Sequence, residues 1–482
     1  MEIKNFGLNI QLSPRYSYTP KNEDEVLAIL NRHRGQKIRT IGRLHSWSQI
    51  IEADAVLLDL KYLDSVQPGE EGNQKYVDAG AGCQIKHLLH ELAQQRDWTL
   101  PSVGFITEQT IAGAISSGTH GSGRHSLSHY VLSVRLACYD PTSGEAIIQE
   151  ITSGAELRAA RCSLGCLGVI LSVRMQCRES YRIEEHFRAH GRLEDVLAAE
   201  TEYPLQQFYL VPWRWNFVVQ HRRETVARQS ALMRVYHWYR YLVFDLAMHL
   251  MILSCVRLVP SARLVRAIFR WILPNCVIHN WRVVGPSASQ LVMEHELFRH
   301  LEIELFVQRR NLTDALQFLK NALIAIDSAS LPLEPSFINQ LTETKLDSAL
   351  QELRGRYCHH YPICLRKVLP DDTLISMASS DSRTQTHPAN QAAPDEPWYA
   401  ITLTNYQRGK AREDFCEVAS FLALSMSQLF AARPHWGKLF PLKVEDIRKL
   451  YPGLEPFKLI RESVDPQHAF SNRWTEELLK SV

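Results

Sequence analysis

Apolar residues along the chain change their spacing several times, and each change marks an element. In TPKNEDEVLAILNRHRG, Val26, Leu27 and Leu30 fall on one helical face, with Thr19 and Pro20 as the start signal and Gly35 as the stop. KIRTIG and AVLLDL are short apolar runs that predict buried strands. KYVDAGAGCQIKHLLHELAQQRDW predicts a strand, a small-residue turn and an amphipathic helix from about Gln84. SLGCLGVILSVRMQC, Ser163 to Cys177, couples a glycine turn to an alternating strand. HLEIELFVQ alternates with period two, which places Glu302 and Glu304 on one face. RNLTDALQFLKNALIAI predicts a helix, HYPICLRKVLPDDTLISMAS a strand, turn and strand, and WYAITLTNYQ a strand. EDFCEVASFLALSMSQLFAA predicts a helix that stops at Arg433 and Pro434. The polar stretch 379–397, rich in Ser, Pro and Ala, predicts a mobile surface loop.

Residues 233–278 break this rhythm. The run Tyr241 to Val256 is nearly all apolar, holds Asp245 and His249, and is sixteen residues long. That is short of the ~20 residues a membrane span needs. Two amphipathic helices, basic at Arg257, Arg263, Arg266 and Arg270, fit better. They either bury against a second domain or dock on a membrane interface, and periodicity does not separate the two.

A length of 482 residues implies two domains. Hydrophobic residues at 45% and charged residues at 22% predict a folded, globular chain. Lys plus Arg at 54 against Asp plus Glu at 52 argues against a nucleic-acid partner, which would call for a basic excess. Ten cysteines, with an N-terminus MEIKNFGLNIQLSPR that lacks an apolar core, predict reduced thiols and a cytoplasmic chain. Cys162 and Cys166 have a metal-like spacing, but no second Cys or His pair accompanies them, so no metal site is expected.

The chemistry begins with three glycine turns: IGRLHSWS, GTHGSG at 118–123 and SLGCLGVI. Backbone N–H groups in such turns bind phosphate oxygens without cationic side chains. None is a Walker loop, and none is a G-x-G-x-x-G between strand and helix. Together they suggest one long ligand carrying a pyrophosphate, lined in part by 101–123, whose one charge is Glu108.

These motifs resemble flavin oxidases of the vanillyl-alcohol-oxidase type, in the branch that oxidises sugar-1,4-lactones and alditols. The likeness rests on GRLHSWS at 42–48, TIAGAISSGTHGSG at 110–123, SLGCLGVI at 163–170, HYPICLRKVLPDDTLIS at 360–376, RPHWGKLF at 433–440 and DPQHAFSNRW at 465–474, in the family's order. It covers roughly the first 180 and last 125 residues, and 185–300 match loosely. The resemblance implies an α+β architecture: a two-lobed PCMH-type FAD-binding domain over 1–180 and a substrate cap with a large antiparallel sheet over 181–425. The apolar helical insert at 233–278 belongs to that cap, and 426–482 returns to the FAD domain. It implies FAD held by Ile41, Gly42, Arg43, Leu44, Ser46, Trp47, Thr110, Gly113, Thr119, His120, Gly121, Ser122, Gly168, Ile170 and His435, with His45 bonded covalently to the 8α-methyl of the flavin. A tether there also raises the reduction potential and eases hydride acceptance.

For the substrate half, the resemblance places Lys438 at the reacting centre and Glu304 as hydroxyl partner or base, and Arg366 on HYPICLR faces inward by the same strand alternation. A lysine there also stabilises negative charge on a reduced ring. Two departures shift the expected substrate: Phe105 stands where relatives often carry serine, and Phe306 adds a ring two residues past Glu304. Both favour a larger or less polar molecule than a sugar. The expected reaction removes a hydroxyl proton to a base and passes the carbinol hydride to flavin N5. The expected substrate is a small polyol or sugar lactone, and the expected acceptor is O2. The alternatives are a dehydrogenase that uses a quinone or cytochrome at a membrane, and a flavin-binding scaffold without turnover.

Overall fold

The computed structural model describes residues 2–293, 297–380 and 396–480. Most of the loop expected at 379–397 therefore lies outside the described residues.

The first lobe opens with the helix Glu23–Arg32. Its cap is Asn22, whose side chain accepts from the backbone N–H of Glu25 at 2.9 Å, not the Thr19–Pro20 pair expected from sequence. Glu23, Asp24 and Glu25 fill the first turn, where negative charge suits the helix dipole. Val26 and Leu30 are buried as the spacing required. Beneath lies a parallel sheet in the order Tyr16–Tyr18, Val56–Asp59, Ile38–Ile41. The second lobe is an antiparallel sheet in the order Ala146–Ile151, Val131–Tyr139, Val169–Gln176, Gln74–Gly80, Val66–Glu71.

The cap is built on one antiparallel sheet, eight-stranded among the described residues. Its order is Val283–Pro286, Arg182–His190, Asn216–Thr225, Gln207–Val211, Ile363–Val368, Trp398–Asn405, Leu301–Gln308, Arg433–Pro434. Every residue of Trp398–Asn405 is buried, as a strand with both faces covered must be. The helices Leu312–Asp327 and Lys410–Phe430 pack on the strand Leu301–Gln308 through their apolar faces. The ten cysteines form no disulfide, and Cys162 and Cys166 are small buried side chains.

Two local expectations change. HYPICLRKVLPDDTLISMAS forms one strand, Ile363–Val368, and then coils instead of returning. The Asp371 carboxylate accepts from the Thr373 N–H at 3.0 Å, Ser376 Oγ at 2.7 Å and Ser126 Oγ at 2.9 Å, so local bonds replace a second ladder. The apolar run at 241–256 is also longer than its composition indicated. Met233–Leu258 is one helix of 26 residues, because Met233 and Tyr236 extend its buried face at the N-terminal end. By length and composition it could cross a membrane, yet only 17% of its most apolar window is buried. That weighs against full burial. One edge packs through Met233, Tyr236, Ile252 and Cys255 on the outer strands of the cap. A second helical segment follows, from Ala262–Ala267 through Leu273–Cys276.

The last segment ties cap to lobes. Arg433–Pro434 closes the sheet edge, Gly437 O accepts from the Trp47 N–H at 2.9 Å, and Ala469 O accepts from the Ile38 N–H at 2.8 Å.

Candidate active site

A cavity of about 330 Å³ runs between the lobes and the inner face of the cap sheet. The lobe wall is made by the turns noticed in the sequence. The strand Ile38–Ile41 ends in Gly42, where a Cβ would come within 2.2 Å of Thr110 Oγ1. Only glycine lets the two turns lie that close. Leu44 follows at φ 56°, a left-handed turn that leucine rarely adopts. His45 lines the cavity and stacks on Phe6 with ring centres 5.1 Å apart. Gly168, at φ 149°, brings in the third turn.

Three of the expected cofactor residues, Trp47, Gly121 and Ser122, stand off this cavity, while the others line it. The Trp47 indole N–H donates to His300 O at 2.7 Å, and its ring lies 4.2 Å below Lys438 Nζ. Trp47 therefore packs under Lys438. Gly121 and Ser122 line a small adjoining cavity, with the Ser122 hydroxyl donating to Gln206 O.

The opposite wall is the face of Leu301–Gln308 that alternation selected. Glu304 Oε1 takes Arg366 Nη2 at 2.6 Å and Thr402 Oγ1 at 2.8 Å, and His120 Nε2 stands 3.4 Å away. Thr402 lies directly opposite Glu304 in the ladder, so the register builds the bond. Burial pushes the Glu304 carboxyl up, but the charges of Arg366 and His120 outweigh it and hold it well below the usual range. Burial alone would lower Arg366, and Glu304 reverses that, so the guanidinium is held charged.

One step along the face, Lys438 Nζ bonds Glu302 Oε2, Thr404 Oγ1 donates to Glu302 Oε1 at 3.2 Å, and His300 Nε2 lies 3.2 Å from the same oxygen. Burial raises the Glu302 carboxyl, and Lys438 and His300 together reverse it, so it too stays ionised. The catalytic residues read from sequence, Glu304, Arg366 and Lys438, thus share one end of the cavity.

Two histidines complete this end. The His435 Nδ1 accepts from the Gly437 N–H at 3.0 Å, which places the ring proton on Nε2, and burial lowers its pKa to about 3. The ring is therefore neutral. His120 faces the other way: its Nδ1 meets Gly121 O at 2.9 Å and its Nε2 stands toward Glu304. His120, Glu304 and His435 bring their ligand atoms within 4.8 Å of one another. Arg366 already occupies the Glu304 oxygen they would share, so this arrangement suits protons better than a cation.

Sequence reading put Glu302 on this face without giving it a role, and missed His300, Thr402, Thr404 and the second role of His120. The period of two was the available signal, since Thr402 and Thr404 alternate on WYAITLTN as Glu302 and Glu304 do on their own strand. Phe306 corrects an expectation. It is 1% exposed, off the cavity, and packs edge-on beneath His120 at 4.9 Å. Phe105 does line the cavity.

Residues 14–142 match the model of an FAD-binding domain, and residues 173–478 match that of D-arabinono-1,4-lactone oxidase. The chain is 50% identical over 478 residues to a long-chain alcohol oxidase from an uncultured marine euryarchaeote, covering 99% of this chain and 97% of that one. It is 24% identical to L-gulonolactone oxidase of Mus musculus, covering 99% and 98%. A solvent-stable cholesterol oxidase shares the fold at TM-score 0.74 and 17% identity, over 99% of this chain and 97% of the other. Fold and site define an FAD-dependent oxidoreductase of PCMH type, acting on CH–OH donors. Within that class, the chain belongs to the D-arabinono-1,4-lactone oxidase family. The glycine cradle at Gly42 and Thr110, with Gly168 opposite, fits the cofactor, and backbone turns rather than cations would hold its phosphates.

Proposed function

We propose that the enzyme oxidises the terminal hydroxyl of a long-chain alcohol in preference to a polyol or sugar lactone. One observation carries this reading: the cavity is mostly apolar, and Phe105, Phe244, Met248, Leu273 and Phe298 line it away from the carboxylates. A polyol would leave most of its hydroxyls against such walls without partners, a cost of about 1–3 kcal/mol each. The name of the relative at 50% identity points the same way.

FAD, when bound, supplies the two-electron acceptor, with N5 taking the carbinol hydride. Glu304 accepts the hydroxyl proton, and His120 Nε2, 3.4 Å away, shares it. So well-stabilised a carboxylate is a weak base, so the proton moves as the hydride departs. Arg366 would hold the substrate oxygen, His435 offers its Nε2–H toward the same region, and Lys438 would supply positive charge to a flavin that takes up electrons there.

Several further assignments belong to this reading. His45 carries the flavin covalently. Residues 1–180 bind FAD, 181–425 form the cap, and 426–482 return to complete the site. O2 is the acceptor, and a quinone is the alternative if the enzyme works at a membrane. Contact with a bilayer is peripheral, on the cytoplasmic side, through 233–278. Val235, Trp238, Leu242, Trp271 and Ile272 are exposed there. From 226 to 282 the chain carries eight arginines and one acidic residue, Asp245, a balance suited to anionic headgroups.

The test is an anaerobic panel read at the flavin absorbance. Long-chain primary alcohols should bleach the flavin, and alditols and aldonolactones should do so far more slowly. Faster bleaching by a lactone would overturn the substrate assignment, and oxygen uptake then separates oxidase from dehydrogenase.

A further inference from the structure

The cavity does not end at the apolar wall. It continues between the helix Met233–Leu258, which contributes Phe244, Met248 and His249, and the turn that contributes Leu273, Pro274 and Val277. Leu297, which also lines it, is 45% exposed, so this end reaches the surface. The surface around it is the most apolar part of the cap. Trp271 and Ile272, immediately before Leu273, are 73% and 49% exposed, and Ile278, one residue past Val277, is 48% exposed. On the facing helix, Leu242 and Leu250 bracket the cavity-lining turn and are each 47% exposed. Arg234, Arg263, Arg270 and Arg282 are exposed around the same face. An apolar surface ringed by cations fits an anionic bilayer surface. The helix packs along one edge on the cap core, which leaves its other side to face such a surface.

We propose that the substrate passage opens directly into the bilayer-facing surface of the cap, so that a long-chain alcohol leaves the lipid hydroxyl-first, passes between Phe244 and Val277, and reaches Glu304 without crossing water. This rests on the long-chain reading above and adds the route and the source. The hydroxyl end travels toward the carboxylates at the inner end, while the alkyl chain stays among apolar side chains and, beyond Leu297, among lipid tails. That alkyl chain is thereby kept out of water along the whole route.

The test uses the flavin-loaded enzyme and vesicles of phosphatidylcholine with phosphatidylserine. Hexadecanol is presented within the vesicles, and hexanol is presented in buffer. Trp271→Asp with Ile272→Asp places charge on exposed positions that do not line the cavity. The double variant should leave the vesicles in sedimentation and lose roughly tenfold or more of its turnover of vesicle-held hexadecanol, while hexanol turnover stays at wild type. Unchanged hexanol turnover also shows that the variant is folded. Val277→Trp, which narrows the passage, should slow hexadecanol while leaving vesicle binding intact. The proposal is overturned if the double variant leaves the vesicles yet oxidises vesicle-held hexadecanol at the wild-type rate, or if Val277→Trp leaves that rate unchanged. If neither alcohol reduces the wild-type flavin, the long-chain reading itself is wrong.

Discussion

Replacing Lys438 by methionine removes one charge but disturbs two groups. Lys438 and Glu302 are each 14% exposed, so the variant leaves the Glu302 carboxylate buried with Thr404 and His300 as its remaining partners. Removing one partner of a buried ion pair costs about 3–5 kcal/mol, and those two contacts put this site near the lower end. An unfolding entropy of roughly 2.1 cal/mol/K per residue over 482 residues is about 1 kcal/mol per degree. Lys438→Met should therefore lower Tm by roughly 3 °C. The burial that already pushes Glu302 up would act with less opposition, and its carboxyl should titrate at a higher pH than in wild type. Flavin reduction under anaerobic, rapid-mixing conditions should slow by about 10² to 10³, the usual cost of losing one electrostatic donor at a reacting centre. Adding Glu302→Gln removes the stranded charge. The double variant should regain Tm and lose the new pH dependence, yet reduce its flavin as slowly as Lys438→Met alone. If the double variant also regains the rate, Lys438 serves only to neutralise Glu302, and its role at the reacting centre is refuted.

Glu304→Gln should keep flavin content and slow flavin reduction by about 10² to 10⁴, as expected for loss of a proton acceptor, measured by the same anaerobic mixing. Because the Glu302 and Glu304 carboxyls are lowered in the folded chain, their stabilisation is present above the unfolded value of about 4.3 and is lost as pH falls through the folded values. The Tm gap between wild type and Glu304→Gln should therefore be widest at neutral pH and shrink below about pH 4; a constant gap would contradict the assigned ionisation. Acid-precipitated wild type should stay yellow and His45→Ala should release its flavin to the supernatant; a colourless wild-type pellet refutes the tether. Phe105→Ser should raise the flavin reduction rate for a polyol relative to a long-chain alcohol, and an unchanged ratio would remove Phe105 from substrate selection.

What the sequence disclosed follows from how local each signal is. Glycine turns are read from a few adjacent residues, and most of the turn residues named at 41–46, 110–120 and 168–170 do meet in one cavity. Period two in HLEIELFVQ found the face that lines the cavity but not all of its partners, because Thr402 and Thr404 are set by the register of another strand. Trp47 looked like a cofactor contact from its neighbours, and a cation from a distant segment gives it a different task. Phe306 shares the right face, but the histidines above it take the position that faces the cavity. For 233–278, composition described the residues well and said nothing of which side meets the cap, since that depends on Phe187 and Val211 from strands far away in the chain.

The closure of the cap sheet by Arg433–Pro434 sets an order of events during synthesis. The turn at 41–48 is made first, but some of the carbonyls that hold it, Gly437 O for Trp47 N–H and Ser46 Oγ and Trp436 O for Ser48 Oγ, belong to a segment made much later. That same segment delivers His435 and Lys438. Until it arrives, the turn that carries His45 has its bonds from Asn5, Phe6 and Asn9 but not those to 436–437, and the carboxylates face no lysine. The two walls of the cavity therefore come together only once 433–437 has been made and has paired: that strand is a latch between the turn at 41–48 and the carboxylate face.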